Sequence, residues 1–159
     1  MFCDLAGVAA LSEQLDPEEM WRVIASYRAC IGEVISRYNG TIARYLGDGV
    51  LTYFGYPRAQ EDDAEQAVRA ALALVDAVAN LRADVDAALQ ARVGIATGTV
   101  VVQELLIDET PVEQAVVGVT PNLAARLQTL AEPGTVLICP STRRLTGGHS
   151  ITAIWVLSR

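Results

Sequence analysis

Two aspartates, Asp4 and Asp48, stand where a carboxylate can bind a divalent metal ion. Asp48 lies in the run 44–51, in which an Asp-Gly pair separates two apolar, β-prone stretches. Such a pair predicts a hairpin, because both residues tolerate the positive φ of a tight turn. Asp4 follows the short apolar run 1–3 and precedes a Gly-containing segment that predicts a turn into a helix. Two acids at strand ends, one beside such a turn, suit a divalent metal and a phosphate.

Each acid also has a simpler interpretation when it is considered alone. Asp48 would then only shape its turn, and Asp4 would only cap the helix that follows it. Aspartate is common in such places, because its short side chain bonds to nearby backbone groups. The two interpretations therefore have to be weighed against the rest of the chain.

Alternating helix and strand patterns predict the frame that holds these acids. Asp16, Pro17 and two glutamates start a helix with an N-cap acid and proline at the first helical position, and this helix should run to about Tyr38. The other predicted elements are a hairpin around Asp48, a helix opened by Glu61, strands at 91–96, 114–117 and 135–139, a β-branched run at 99–102, and a third helix that begins at Thr120-Pro121-Asn122. This order predicts an α+β or α/β sandwich with helices packed on a sheet.

Composition narrows the class of function. The chain has 159 residues, a formal net charge of −7 and an isoelectric point near 4.6, which indicates one globular domain and argues against non-specific nucleic-acid binding. His149 is the single histidine, which argues against a histidine-based metal site or catalytic triad. Cys3, Cys30 and Cys139 lack ligand spacing, and we interpret them as buried thiols in a reducing cytoplasm. No apolar run is long enough to span a bilayer, so we expect a cytoplasmic protein.

Four motifs occur in one order along the chain: Phe2–Gly7, Tyr45–Gly49, Arg92–Gly98 and Val117–Leu127. Together they resemble the class III adenylate/guanylate cyclase catalytic domain, and the Tyr-Phe-Gly-Tyr-Pro segment after the hairpin is similar to its bacterial branch. The resemblance implies a ferredoxin-like α+β sandwich, in which helices pack on an antiparallel-rich central sheet. It assigns 1–148 to a catalytic domain whose first strand is shortened. It leaves 149–159 as a diverged C-terminal tail that could form one strand.

Members of this family close the ribose 3′-oxygen of a nucleoside triphosphate onto its α-phosphate and release pyrophosphate. The resemblance implies two Mg²⁺ or Mn²⁺ ions, which acidify the 3′-hydroxyl and neutralise phosphate charge. The positions that match the metal-binding residues are Asp4, Leu5 and Asp48. The positions that match the phosphate-binding residues, mainly through backbone amides, are Ala6, Gly7, Val8, Ala9 and Arg92.

Asn122 and Arg126 match the pair that positions the ribose and stabilises charge on the α-phosphate. They stand four residues apart on the third predicted helix and therefore share a face. In the family the metal acids come from one subunit and this pair from the other. The resemblance thus implies a head-to-tail dimer, either of this chain or with another cyclase domain. Taken alone, Arg126 is equally well interpreted as a solvated helix arginine.

The chain departs from the family where the purine base is recognised. Arg44 stands at the position of the family's lysine, and Ala115 at the position of the lysine's acid or threonine partner. An alanine side chain forms no hydrogen bond, so the base should be selected by Arg44, by backbone groups or by another residue.

These observations predict a purine nucleotide cyclase of intracellular signalling, which forms a 3′,5′-cyclic nucleotide and pyrophosphate from ATP or GTP. On family grounds alone we favour ATP over GTP as the substrate, and hence cAMP over cGMP as the product. The alternative is a catalytically weak or inactive cyclase-like module that binds nucleotide or dimerises as a regulatory partner. A third interpretation, an unrelated ferredoxin-like binding domain, leaves the four motifs unexplained. The retained Asp4, Asp48, Asn122 and Arg126 favour the enzyme, whereas Ala115 and the shortened ends favour the module.

Overall fold

A computed structural model describes residues 1–81, 88–107, 110–147 and 154–156. The helices are α1 (Val8–Gln14), α2 (Pro17–Arg37), α3 (Asp63–Ala79), α4 (Val119–Leu130) and α5 (Pro140–Leu145). The strands are β1 (Phe2–Leu5), β2 (Thr41–Leu46), β3 (Gly49–Tyr53), β4 (Ala91–Ile95), β5 (Val101–Ile107), β6 (Thr110–Val117), β7 (Thr135–Ile138) and β8 (Ile154–Val156). Within these ranges no helix combines the length and apolar character needed to cross a bilayer.

Six strands form one mixed sheet in the order β2-β3-β1-β4-β7-β8, and β5 pairs with β6 in a separate hairpin. The pairs β2–β3, β3–β1 and β1–β4 are antiparallel, whereas β4–β7 and β7–β8 are parallel. The predicted α+β sandwich with an antiparallel-rich sheet is therefore confirmed. Strand β8 lies in the predicted C-terminal tail, and the division of the chain at residue 148 stays a prediction.

The two faces of the sheet pack against different helices. On β4, Ala91, Val93 and Ile95 belong to the main core with α2 and α3, which we call the α2/α3 face. The alternating residues Arg92 and Gly94 point to the opposite side, because successive side chains of a strand alternate between faces. This second side, across which α4 packs on β1, β4 and β7, is the α4 face.

Helix α2 begins as the sequence predicts. The Asp16 carboxylate accepts from the Glu19 N–H at 2.8 Å, and the Asp16 N–H donates to the Glu19 carboxylate at 3.0 Å, with Pro17 in the first turn. This capping box satisfies two backbone donors that the helix itself cannot. The helix ends at Arg37, close to the predicted Tyr38.

Two local predictions need correction by one residue each. The hairpin loop is Gly47–Asp48, since Leu46 and Gly49 are already paired, and Gly47 rather than Asp48 takes the positive φ of 65°. A glycine with positive φ at the first loop position is typical of a type II′ hairpin turn. The third predicted helix starts at Val119 instead of Thr120, with Gly118 as its N-cap at a φ of 146°.

The cysteine prediction holds in part. All three thiols are free, and Cys3 and Cys139 are buried. Cys30 is only half-buried, because it lies on the flank of α2 between the buried Tyr27–Ile31 row and the exposed side of the helix.

Gly94 allows α4 to lie directly against β4. A Cβ at this position would collide with the backbone O of Ala124 and the backbone N of Gln128, so the whole helix would have to move. We expect Gly94→Ala to lower the free energy of unfolding by about 1–3 kcal/mol, the usual range for overpacking. Urea denaturation followed by circular dichroism measures this change.

Gly32→Ala is the matched control. Gly32 lies inside α2, and a Cβ there meets nothing within 4 Å. Alanine should therefore raise stability by about 0.5–1 kcal/mol, because it is the better helix former. Equal effects of the two substitutions would contradict the close approach of α4 to β4.

Candidate functional site

Asp4 and Arg92 form a two-pronged ion pair on the α4 face of the sheet. The two residues lie opposite each other on β1 and β4. Arg92 Nε donates to Asp4 Oδ1 at 3.0 Å, and Arg92 Nη2 donates to Asp4 Oδ2 at 2.7 Å. These hydrogen bonds to Asp4 raise the pKa of Arg92, which remains a cation. The predicted phosphate-binding arginine thus stands beside a predicted metal acid, with further N–H donors left over.

Asp48 lies at the tip of the β2–β3 hairpin, and α2 holds this tip. Arg28 Nη2 donates to the Gly47 carbonyl O at 2.7 Å. The Arg28 guanidinium carbon also lies 4.9 Å from the ring centroid of Tyr45, within the range of a cation–π interaction. Asp48 is half-buried, and the paired residues Leu46 and Gly49 flank its two-residue loop. No feature of the sequence pointed to Arg28 as a residue that supports the site.

The two predicted metal acids lie at the same end of the sheet. Strands β1 and β3 are antiparallel with Cys3 opposite Val50, so Asp4 and Asp48 both lie just past this pair in the same direction. Burial raises the pKa of the Cys3 thiol to about 12, and the charges of both aspartates add to that rise. Both carboxylates also act on Arg92. The structure therefore brings together two acids that are far apart in the sequence.

The donor set fits Mg²⁺ or Mn²⁺, which prefer oxygen ligands and bind through one or two carboxylates plus substrate phosphates. Arg92 occupies one lone pair on each Asp4 oxygen, whereas a carboxylate offers about four. The Leu5 side chain is a hydrocarbon without a ligating atom, so only the backbone carbonyl of this residue could serve as a ligand. In the described part of the chain no group of three or more His, Cys, Asp and Glu side chains could hold a metal. Backbone and substrate oxygens would have to complete the coordination.

The segment after β1 meets the phosphate-binding prediction only in part. The Ala6 N–H donates to the Gln90 carbonyl O at 2.7 Å, so Ala6 has no free amide for a phosphate, contrary to the prediction. Gly7 is the N-cap of α1 with a φ of 76°. Val8 and Ala9 open that helix, where amides have no acceptor within the helix. For these three residues phosphate binding stays a prediction.

Asn122 and Arg126 share the exposed side of α4. Ala124 and Leu127 are buried against the sheet, whereas Asn122 and Arg126 are exposed. Four residues of a helix span about 6 Å along its axis, so the two polar side chains lie one turn apart. Neither of them has a hydrogen-bond or ion-pair partner within the described residues.

Arg44 faces the same side of the sheet as α4. It pairs with Leu51 on β3, Leu51 pairs with Phe2, and Phe2 pairs with Gly94, so these four residues form one row. Directly opposed residues of an antiparallel pair share a face. Ala115 lies on β6, which packs next to β2, and its side chain is outside the described part of the structure.

A cavity of about 440 Å³ lies beside this row, between the end of β3, the loop after β4 and the start of α4. Its wall is largely apolar and includes Leu51, Phe54, Val102, Val116, Pro121 and Ala124. Tyr53 also lines it, and the Tyr53 hydroxyl is buried without a hydrogen-bond partner. The sequence did not single out Tyr53, although it belongs to the Tyr-Phe-Gly-Tyr-Pro segment that marks the bacterial branch.

Comparison with known proteins agrees with this geometry. A family model described as "Adenylate and Guanylate cyclase catalytic domain" matches residues 1–153. The chain is 32% identical over 132 residues to adenylate cyclase 1 of Rhizobium meliloti, a match that covers 80% of this chain and 20% of that protein. It spans 14%, 20% and 27% of the length of three curated relatives.

Two solved structures have the same fold. The guanylyl cyclase Cya2 matches with a TM-score of 0.85 and 33% identity, over 92% of this chain and 76% of that one. The adenylyl cyclase CyaB from P. aeruginosa matches with a TM-score of 0.85 and 30% identity, over 93% of this chain and 79% of that one.

Proposed function

The chain belongs to the adenylate and guanylate cyclase catalytic domain family, and on that premise we propose that it converts ATP or GTP into a 3′,5′-cyclic nucleotide and pyrophosphate. The observation that carries this proposal is the Asp4–Arg92 ion pair beside Asp48, on the face of the sheet that α4 covers. The reaction needs an in-line geometry and neutralised phosphate charge rather than a covalent partner. Fixed acids next to a fixed arginine suit that need.

Asp4, Asp48 and the Leu5 carbonyl would hold two Mg²⁺ or Mn²⁺ ions. When bound, such ions acidify the 3′-hydroxyl and offset the charge of the phosphates. Arg92 holds the Asp4 carboxylate in one orientation through two hydrogen bonds. Its remaining N–H groups can donate to a phosphate oxygen, and the amides of Gly7, Val8 and Ala9 can add to this.

We place the reaction at a dimer interface, where Asn122 of one subunit positions the ribose and Arg126 stabilises charge on the α-phosphate. Val119 is 82% exposed and Leu123 is 37% exposed on the same side of α4. Apolar side chains at such exposure next to free polar groups suit a surface that a second subunit covers. The partner is a second copy of this chain or another cyclase domain, in the cytoplasm and in intracellular signalling.

The alternative is a cyclase-like module that binds nucleotide or dimerises without efficient turnover. The Ala6 amide is already bonded to Gln90, and Ala115 offers no side-chain contact to a base. Both observations reduce the number of substrate contacts relative to the family pattern. They favour the alternative over an unrelated binding domain, which would not explain the two acids.

A product assay decides between enzyme and module. The protein is incubated with Mn²⁺ and either ATP or GTP, and chromatography measures cyclic nucleotide and pyrophosphate. We expect the two products in equal amounts, and their rate of formation to be at least about 100-fold lower in an Asp48→Asn control. Nucleotide binding by calorimetry without any cyclic product would favour the module.

We expect weak discrimination between the two purines. The relatives do not settle the base, since one matched structure is named a guanylyl cyclase and the other an adenylyl cyclase. A site without a hydrogen-bonding residue at position 115 rejects the wrong base poorly, so kcat/KM for ATP and GTP should differ by less than about tenfold, or about 1.4 kcal/mol. Ala115→Asp should shift the ratio towards ATP, because a carboxylate accepts from the adenine amino group.

Ala115→Val is the control for this substitution, because it adds volume without a hydrogen-bonding group. Ala115→Val should change kcat/KM for ATP and for GTP by the same factor. The contrary result is a wild-type protein that selects one purine strongly, with a ratio of kcat/KM for ATP and GTP that Ala115→Asp does not change. That result would show that another residue selects the base.

A further inference from the structure

Tyr53 has a buried hydroxyl without a partner. The residue is 9% exposed, and its hydroxyl forms no hydrogen bond within the described residues. Leaving a buried hydroxyl unpaired costs about 1–3 kcal/mol, which is why such groups are rarely unpaired in folded proteins. The ring is held edge-on against Tyr56, with centroids 5.8 Å apart and planes at 76°. The ring is therefore held in place, and its hydroxyl lacks a hydrogen-bond partner within the described residues.

The cavity that Tyr53 lines offers few other polar contacts. Thr52, Asp63, Thr97 and Thr120 also lie in its wall, and each already forms a hydrogen bond within the chain. The rest of the wall is largely apolar. Among the described residues that line it, only Tyr53 has a buried side-chain hydroxyl without a partner. A cavity of this size with largely apolar walls and such a hydroxyl suits a flat aromatic ring that carries a polar substituent.

This cavity adjoins the positions that the sequence assigned to the base and the ribose. Tyr53 follows Leu51 by two residues, so it shares the face of Leu51 and of its partner Arg44. Burial raises the pKa of Tyr53, and the positive charge of Arg44 opposes that rise. Val116, the neighbour of Ala115, lines the cavity.

Helix α4 forms one wall of the cavity through Pro121 and Ala124. Asn122 and Arg126 lie on the exposed side of the same helix and do not line the cavity. Asn122 directly follows Pro121, so the start of α4 lies next to both the cavity and the position assigned to the ribose.

We propose that Tyr53 contacts the purine base, and that its hydroxyl bonds to the substituent at the 6-position. This inference rests on the proposed function and assigns the base contact that Ala115 cannot make. A hydroxyl donates to the carbonyl oxygen of guanine and accepts from the amino group of adenine, whereas the Arg44 guanidinium only donates. A contact of this kind binds both purines and selects weakly between them.

A cycle of enzyme and substrate changes tests the contact. Wild type and Tyr53→Phe are compared on ATP, GTP and purine riboside triphosphate, whose base carries only hydrogen at the 6-position. We expect Tyr53→Phe to lower kcat/KM for ATP and GTP by about 3- to 10-fold, the worth of one neutral hydrogen bond. For purine riboside triphosphate the two proteins should agree within about twofold, because that base has no group to lose.

Tyr38→Phe is the control, since Tyr38 caps the C-terminus of α2 and does not line the cavity. Tyr38→Phe should have the same kcat/KM as wild type for each of the three nucleotides. Equal losses of Tyr53→Phe on the three nucleotides, or no loss on any, would overturn the base contact.

Calorimetry with the 3′-deoxy forms of the same nucleotides, which cannot cyclise, separates this inference from the proposed function. The 3- to 10-fold loss expected from one hydrogen bond should recur in Kd for the adenine and guanine forms alone. That binding pattern without turnover of ATP or GTP would overturn the proposed function and support the contact. Turnover without the pattern would overturn the contact alone, and a wild-type protein that binds none of the nucleotides would overturn both.

Discussion

Asp48→Asn should lower kcat by at least about 100-fold, or 2.7 kcal/mol of transition-state stabilisation, while the protein remains folded. Asparagine has nearly the same shape as aspartate and is also common in hairpin turns, so the Gly47–Asp48 loop should keep its geometry. The substitution removes one negative charge and one carboxylate ligand. Initial rates over a range of Mn²⁺ concentrations measure both the loss of turnover and any change in metal dependence.

Asp76→Asn is the matched control for this substitution. Asp76 lies on the exposed side of α3, so its neutralisation should change neither turnover nor stability by more than about 0.5 kcal/mol. Asp4 is a less selective probe, because its carboxylate also holds Arg92. Full activity of Asp48→Asn with an unchanged Mn²⁺ requirement would refute the metal assignment and leave Asp48 as a turn residue.

Arg126→Ala should reduce kcat by about 10²–10³-fold, the usual effect of removing a group that stabilises charge in a transition state. Arg126 is exposed and has no hydrogen-bond or ion-pair partner within the described residues, so stability should change little. Arg22→Ala removes an exposed arginine from α2 and serves as the control. A higher KM with unchanged kcat would indicate that Arg126 contributes to ground-state binding of the substrate instead. A lower free energy of unfolding with unchanged kinetics would indicate that Arg126 has only a structural role.

The sequence predicted the elements whose signals are local. Asp16 and Pro17 fixed the start of α2, and the alternation of apolar residues identified β4 and β7. The hairpin was predicted one residue too far along, because either of two neighbouring glycines, Gly47 and Gly49, could take the positive φ. Such a choice depends on strand register, which local patterns do not fix.

The motifs also named the residues of the candidate site but not their contacts. The Asp4–Arg92 pair joins residues 88 positions apart, and the bond from Ala6 to Gln90 depends on the same strand pairing. Arg28 belongs to none of the motifs, and the segment that contains Tyr53 indicated the bacterial branch without giving this residue a role. Their positions follow from how α2 packs on the hairpin and from where β3 ends, which are properties of tertiary packing rather than of spacing.

Subunit mixing tests the central claim most directly, because the proposed site takes Asp48 from one chain and Arg126 from the other. Asp48→Asn and Arg126→Ala should each be inactive alone. In a mixed dimer one composite site carries both lesions and the other carries neither. With free exchange of subunits, an equal mixture should therefore recover about a quarter of wild-type turnover. No recovery, in proteins shown to exchange subunits, would contradict a site shared between two chains.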